Sequence, residues 1–221
     1  MNKDKDIVIL NVAFAPLPAD ALQVMLGLNY HFRQSDEIVF GDDGSVPHLT
    51  AIMMPADVGK LPLIYQMVAT IVGMYQPLEV SFGEFYANEI VTGQLVAGVA
   101  IRKTPKLVEF HAHLVNSLRP LAAPFEDLRP GMLFSDRSWP APTQMSVGFA
   151  TSNATQLFED PSSWFPHITS HVGPKPTGYT IPFQNFSVDT LSVFHLGVYG
   201  TCKKLLESFP LGGGTASMKK S

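Results

Sequence analysis

The sequence has little cysteine and no excess of basic residues. Among its 221 residues there is one cysteine, Cys202, and 15 Lys and Arg stand against 19 Asp and Glu, for a formal net charge of −4. A single cysteine excludes an internal disulfide and any zinc site built on cysteine pairs, so we expect a reducing compartment, the cytoplasm. A slightly acidic surface releases few counterions from a long duplex, so we expect no binding to long nucleic acid.

Long apolar runs and several common nucleotide and hydrolase motifs are also missing. No run reaches the roughly 18 residues of a membrane span, and the charged residues 1–6 do not begin a signal peptide. There is no Gly-x-Ser-x-Gly elbow of a serine hydrolase. The glycines at 212–214 lack the lysine and the following helix of a phosphate loop. We therefore expect no membrane partner, no bound cofactor and no metal.

What is present is a mixed succession of strand and helix patterns, with 46% hydrophobic residues. The patterns predict strands at Ile7–Ala15, Val46–Met54, Glu79–Ala87, Gln94–Arg102, Phe165–Val172, Phe186–Leu196 and Gly200–Phe209, and helices at Asp20–Phe32, Leu61–Met74 and Pro105–Leu118. The proline-rich segment 119–163 is predicted to be mainly loop with at most one short helix. The order indicates an α+β protein with a weak internal duplication, in which 1–211 form one domain and 212–221 a disordered tail.

Two of the predicted strands carry the same tetrapeptide pattern, Pro-His-apolar-Thr. One copy runs from Pro47 to Thr50 and the other from Pro166 to Thr169. Successive strand side chains point to opposite faces, so in each copy the histidine and the threonine share a face and the apolar residue between them points into packing. A single His-x-Thr triplet is a weak signal, but two copies that share the proline, the apolar residue and a strand context favour a functional pair.

The residue types in this pair suit cleavage of a phosphodiester. That reaction removes a proton from the attacking oxygen and supplies one to the leaving oxygen, and histidine can do either near neutral pH. We predict that His48 and His167 are the acid and the base, in an order that the sequence leaves open. The hydroxyls of Thr50 and Thr169 would donate hydrogen bonds to the non-bridging phosphate oxygens, and the scheme requires no metal.

The two tetrads, the opening strand and helix, and the closing segment from Leu191 to Leu211 resemble the 2H phosphoesterase superfamily, particularly its RNA 2′,5′-ligase and cyclic phosphodiesterase branch. The resemblance covers about residues 7–211. It implies a bilobal fold of two pseudo-symmetric lobes, each an antiparallel sheet with helices outside, and a central cleft between the histidines. It also implies metal-independent hydrolysis of 2′,3′-cyclic phosphates, of 2′,5′-oligoadenylate or of RNA ends. Val172 departs from the basic residue of several relatives, and the long 119–163 segment is a second departure.

Four further residues are candidates for binding the substrate, which we expect to be a nucleotide or a short RNA bound by a monomer. Trp164, Tyr179 and Trp139 present aromatic faces on which a base could stack. His171 would reach the same face as His167 in an unbroken strand, whereas a bend after Thr169 would place it on the surface. The histidines at 111 and 113 cannot share a helical face and are predicted to lie on the surface. A module that binds phosphorylated ligands without turnover is the alternative function.

Overall fold

The computed structural model describes residues 7–35, 38–41, 44–90, 93–124, 155–197 and 200–213. Within these ranges eight strands form two four-stranded antiparallel sheets, and three α-helices accompany them, which confirms the predicted α+β class. The strands are β1 (Ile7–Phe14), β2 (Leu49–Asp57), β3 (Leu78–Glu89), β4 (Leu95–Ile101), β5 (His167–Val172), β6 (Asn185–Val188), β7 (Thr190–Leu196) and β8 (Cys202–Pro210). The helices are α1 (Ala19–Phe32), α2 (Leu61–Val72) and α3 (Pro105–Leu118).

The sheet topology brings the two tetrads together. The first sheet has the order β2-β1-β7-β8 and the second the order β5-β4-β3-β6. Each tetrad therefore runs into an edge strand, β2 in the first sheet and β5 in the second. These two edge strands contact each other. The fold thus joins two distant parts of the sequence at the place where the sheets meet.

The predicted strand from Phe186 to Leu196 is wrong, because the chain changes sheets within it. Residues 185–188 pair with β3 in the second sheet, whereas 191–195 pair with β1 in the first. The break falls at Asp189, whose side chain accepts a hydrogen bond from the Thr190 hydroxyl at 2.9 Å. Aspartate is disfavoured inside strands. The alternating apolar residues on both sides of it belong to strands of two different sheets but pack in the same core.

The helices begin where local chemistry favours them. The Thr104 hydroxyl accepts the Leu107 N–H at 3.2 Å and caps α3, which has Pro105 in its first turn. Helix α1 follows Pro18 and has Asp20 in its first turn. It packs on β5, while α2 and α3 pack on each other and α3 also contacts β2. The apolar faces of all three helices and both sheets merge into one continuous core.

None of the described helices combines the length and apolar character that a membrane span needs.

The predicted loop at 119–163 is described only at its two ends. Short 3₁₀ turns occur at Arg119–Leu121 and Pro161–Ser163, and one short helix covers residues 155–159. Residues 125–154 lie outside the described ranges, as does most of the predicted tail.

We expect Gly98→Ala to destabilise the second sheet. Gly98 of β4 pairs with Tyr86 of β3 and Thr169 of β5. A Cβ at this position would lie 2.9 Å from Tyr86 Cε1 and from the Thr169 Cα, and closer still to the Ile168 carbonyl. Relieving such overlap costs about 1–3 kcal/mol of unfolding free energy, which denaturant titration would measure.

Gly27→Ala in α1 is the matched control. Its added Cβ would lie 3.6 Å from the Tyr179 hydroxyl, an ordinary contact. Alanine is also favoured over glycine within a helix by about 1 kcal/mol. Equal losses of stability in the two variants would contradict the steric account of Gly98.

Candidate active site

Both tetrad histidines are held by the same hydrogen bond. His48 directly precedes β2, and its Nδ1 lies 2.8 Å from the carbonyl oxygen of Val46. His167 is the first residue of β5, and its Nδ1 lies 2.7 Å from the carbonyl oxygen of Phe165. A carbonyl oxygen can only accept, so Nδ1 carries the proton in each neutral ring and Nε2 carries the lone pair. In each copy the residue two positions earlier thus fixes which ring nitrogen carries the proton.

The two threonines follow the alternation predicted from the sequence. Thr50 pairs with Ala13 of β1, and Thr169 pairs with Gly98 of β4. Both threonines and both histidines are half-buried, whereas Leu49 and Ile168 between them have no exposed surface. We call the four half-buried side chains, His48, Thr50, His167 and Thr169, the motif site.

Burial dominates the electrostatics of the motif site. The pKa of His48 is lowered to about 4, mainly because the ring loses water on burial; the Val46 carbonyl opposes this shift, the charge of His167 adds to it, and the Gly200 carbonyl opposes it. Burial also lowers the pKa of His167, against its bond to the Phe165 carbonyl. Both rings are therefore neutral at pH 7 in the free protein. They are also near enough for the charge of one to act on the other.

Tyr86 of β3 and Phe165 surround the second histidine. The Tyr86 hydroxyl lies 3.0 Å from Thr169 Oγ1, and its ring meets the His167 ring edge-on at 5.1 Å. Phe165 stacks on His167 with centroids 5.3 Å apart and leaves 48% of its surface exposed. Burial raises the pKa of Tyr86, so its hydroxyl stays protonated. The sequence analysis missed Tyr86, although Gly98 in the facing strand is a signal of close backbone approach.

Asn11 of β1 contacts the first histidine and was also missed. Its side chain is fully buried, and its Nδ2 lies 3.2 Å from His48 Nε2 and 3.0 Å from the Gly200 carbonyl oxygen. Burial of an amide is costly unless it is hydrogen-bonded. The sequence therefore carried a signal for a polar contact here, because Asn11 stands alone among the apolar residues of its strand.

The prediction that Trp164 stacks on a base is wrong. Its indole is 5% exposed and lies parallel to the buried ring of His111, with centroids 4.0 Å apart. Its Nε1–H donates to the Thr50 carbonyl at 3.1 Å. Trp164 therefore ties the segment that leads into β5 to the strand of the first tetrad.

The prediction that His111 lies on the surface is wrong for the same reason. This residue of α3 is 1% exposed, and it hydrogen-bonds the backbone of Ala51. Burial lowers its pKa to about 4. The neutral ring is part of the packing behind β2.

His171 lies neither at the motif site nor on the surface, which corrects both predicted placements. The pairing of β4 with β5 shifts register between Ala97 and Gly98, so Ser170 is an extra residue in β5. This bulge reverses the alternation beyond Thr169. The His171 ring is fully buried, contacts Phe32 of α1 and hydrogen-bonds the Pro174 carbonyl at 3.0 Å.

Of the remaining two stacking candidates, Tyr179 lies away from the motif site. Tyr179 contacts Phe32 and Phe85, and these three residues lie on the helix side of the second sheet. Phe85 and Tyr86 are neighbours in β3 and point to opposite faces, so Tyr179 is on the side away from the motif site. Trp139 lies outside the described residues. Among the described side chains, no three His, Cys, Asp or Glu gather as a metal site would require.

Two solved structures match the chain over nearly its whole length. TT0787 of Thermus thermophilus has 14% sequence identity and a TM-score of 0.54, with 94% of this chain and 98% of that chain covered. The apo form of E. coli LigT has 15% identity and a TM-score of 0.50, with 93% and 98% covered. No protein-family model and no curated protein matches the sequence. The resemblance to the 2H phosphoesterases drawn from the paired tetrads is confirmed for the fold.

We expect Trp164→Phe to cost about 1–3 kcal/mol of unfolding free energy. The substitution leaves the Thr50 carbonyl without its donor and puts a smaller ring against His111. Denaturant titration would measure the loss. The control is Phe165→Leu at the next position, where a half-exposed ring should give a change within about 0.5 kcal/mol. A Trp164→Phe variant as stable as this control would contradict the anchoring role.

Proposed function

We propose that this chain, which has the fold of the 2H phosphoesterases, is a metal-independent phosphodiesterase acting on a ribose 2′- or 3′-linked phosphodiester. The proposed substrates are the 2′,3′-cyclic phosphate of a nucleotide or RNA end, or 2′,5′-oligoadenylate. The proposed catalytic residues are His48, Thr50, His167 and Thr169.

The observation that supports the proposal is the matched hydrogen bonding of the two histidines. Each Nδ1 is bonded to the carbonyl two residues earlier, at 2.8 Å in one copy and 2.7 Å in the other. A histidine kept only for packing has no reason to repeat this arrangement at the edge of a second sheet. Two imidazole rings with a threonine beside each suit one proton acceptor and one proton donor around a single phosphate.

In the proposed reaction a water oxygen attacks phosphorus while one imidazole takes the water proton. The bond from phosphorus to one ribose oxygen breaks, and the other imidazole, initially protonated, gives its proton to that oxygen. The Thr50 and Thr169 hydroxyls donate to the non-bridging oxygens as their charge grows. The Tyr86 hydroxyl, kept protonated by burial, can donate to Thr169 Oγ1 at 3.0 Å and so leave the Thr169 proton directed to the phosphate.

A nucleoside substrate also needs a surface for its base, and Phe165 is the aromatic side chain that suits this role. Its ring is stacked on His167 and half-exposed, so one side is held and part of its surface is open to solvent. Tyr86 meets it edge-on at 5.5 Å and limits its movement. A fixed aromatic ring beside the phosphate site is a sequence-tolerant way to bind a base.

We expect the native protein to hydrolyse 2′,3′-cyclic nucleotides or 2′,5′-oligoadenylate in excess chelator. His48→Ala and His167→Ala should each lose about 10²- to 10⁴-fold in kcat, the usual contribution of a positioned acid or base. The exposed His31→Ala in α1 is the control and should keep full activity. Binding without turnover by the native protein would support a binding module instead, and dependence on added metal would contradict the mechanism.

Measuring the same hydrolysis at a series of pH values gives a further prediction. One ring must be neutral and the other protonated, so kcat/KM should be bell-shaped. At low pH the acceptor becomes protonated, and at high pH the donor loses its proton. Because burial lowers the pKa of both His48 and His167, the maximum should lie below the ordinary histidine pKa of about 6.5. A flat profile through this range would count against the pair.

We expect Phe165→Ala to raise KM for a 2′,3′-cyclic nucleotide by about 5- to 100-fold with little change in kcat, because stacking contributes about 1–3 kcal/mol per base. The matched substrate is a methyl riboside 2′,3′-cyclic phosphate, which has no base and should show no such rise. Tyr30→Ala removes an exposed aromatic ring of α1 and is the control variant. Equal KM increases for the two substrates would contradict the stacking role.

A further inference from the structure

Strand β3 changes its pairing partner halfway along its length. Residues 78–81 pair with β6, whereas the residues from Phe82 to Glu89 pair with β4 on the other side. On the β6 side, the Phe82 N–H donates to the Gln184 carbonyl at 2.8 Å, and no described residue pairs with β3 beyond that point. The second half of β3 therefore has one paired side and one unpaired side in the part of the chain that the structure describes.

The hydrogen bonds of the β3–β4 turn show which groups face the unpaired side. The Ile90 N–H donates to the Gln94 carbonyl at 2.8 Å. Hydrogen-bonded and non-hydrogen-bonded pairs alternate along an antiparallel ladder, so every second residue counted back from the one before Ile90 turns its backbone groups away from β4. These residues are Phe85, Ala87 and Glu89. We call residues 85–89 the β3 edge.

A groove of about 370 Å³ opens where the β3 edge begins. Its apolar lining includes Phe85, Tyr179 and Ile181, and the Tyr179 ring meets the Phe85 ring edge-on at 6.2 Å. Glu84 and Lys175 line the same groove, so this end of the edge carries both signs of charge. Glu89 is exposed at the other end. The edge thus runs from an apolar groove with balanced charges to a carboxylate.

This arrangement does not suit pairing with a second copy of the chain. A symmetric antiparallel pair centred on Ala87 would put Phe85 opposite Glu89 of the partner subunit, an apolar ring against a carboxylate. The register shift between Phe82 and Phe85 is a bulge, and a bulge bends an edge away from self-association. A strand with the complementary order of side chains would avoid the mismatch.

We propose that the β3 edge binds an extended segment of a partner protein as an added antiparallel strand. Its main chain would exchange hydrogen bonds with Phe85, Ala87 and Glu89, the residues whose groups face outward. A basic side chain opposite Glu89 and an apolar side chain opposite Phe85 complete the match, because the first meets a carboxylate and the second enters the groove. Both existing neighbours of β3 are antiparallel to it, which favours the same direction for the added strand.

The added strand would lie beside the motif site without occupying it. Tyr86 is the residue of the β3 edge that points to the other face of the sheet, where its hydroxyl contacts Thr169. The backbone groups of Tyr86 bond β4, so its contact with Thr169 does not have to break when a strand is added. Binding at this edge is therefore independent of the proposed hydrolysis, and either can fail without the other.

The test uses the full chain and the peptide acetyl-Lys-Thr-Val-Thr-Leu-amide, whose lysine lies opposite Glu89 and whose leucine lies opposite Phe85 in the antiparallel register. An NMR titration should give saturable shifts of the outward amides, and their hydrogen exchange should slow. The amides of Tyr86 and Asn88, already bonded to β4, should exchange at an unchanged rate. Absence of saturable shifts up to about 1 mM peptide would overturn the proposal.

Two N-methylated peptides are the matched control for main-chain pairing. N-methylation of the valine removes the N–H that faces Ala87 and should weaken binding by about 5- to 100-fold, the cost of one lost hydrogen bond. N-methylation of the second threonine alters an N–H that points away from β3 and should leave binding nearly unchanged. Equal weakening by both changes would overturn the pairing. This comparison uses the unaltered protein, so it does not depend on a variant that folds.

A charge exchange tests the choice of partner. A peptide with glutamate in place of the lysine should bind about 2- to 5-fold more weakly, and Glu89→Lys should reverse this preference. Ala87→Pro removes only an N–H that faces outward, so it should keep the fold and weaken both peptides. Equal binding of the two peptides to the native protein would overturn the basic partner. Self-association of the protein alone that Ala87→Pro abolishes would assign the edge to a second copy and overturn the proposal.

Discussion

The hydrogen bond from each tetrad histidine to the carbonyl two residues earlier is the constraint on which the rest of the site depends. It fixes the tautomer of both rings and leaves the same nitrogen, Nε2, unprotonated in each neutral ring. Both tetrads begin with a proline, which has no N–H to pair, and both enter an edge strand. Edge strands allow this, since one side of each needs no partner in its own sheet.

The side chains packed behind β2 and β5 hold these two edge strands in position relative to each other. Trp164 donates to the Thr50 carbonyl, and His111 lies parallel to its indole while bonding the backbone of Ala51. One aromatic pair thus attaches α3 and the segment leading to β5 to the same two residues of β2. Gly98 has the matching role within the second sheet, where it allows Tyr86 to lie beside Thr169. These polar and aromatic groups in the interior therefore fix the positions of the edge strands as well as stabilising the fold.

Side-chain alternation was enough to predict from the sequence that each histidine shares a face with its threonine. It failed at His171, because the extra residue Ser170 reverses the alternation and no sequence pattern marked that bulge. The stacking role predicted for Trp164 rested on its aromatic ring, and it failed because the indole packs on His111 of α3. Such partners come from distant parts of the chain.

The sheet that carries His48 is assembled from both ends of the chain, whereas its counterpart is built from one continuous stretch, 78–188. Its central strand, β1, has β7 as one neighbour, and Gly200 is the residue that orients the Asn11 amide. During synthesis the first histidine therefore lacks its full surroundings until β7 and β8 have left the ribosome. The strands of the second sheet, which carries His167, can pair before that segment is made, so the two halves of the motif site form at different times.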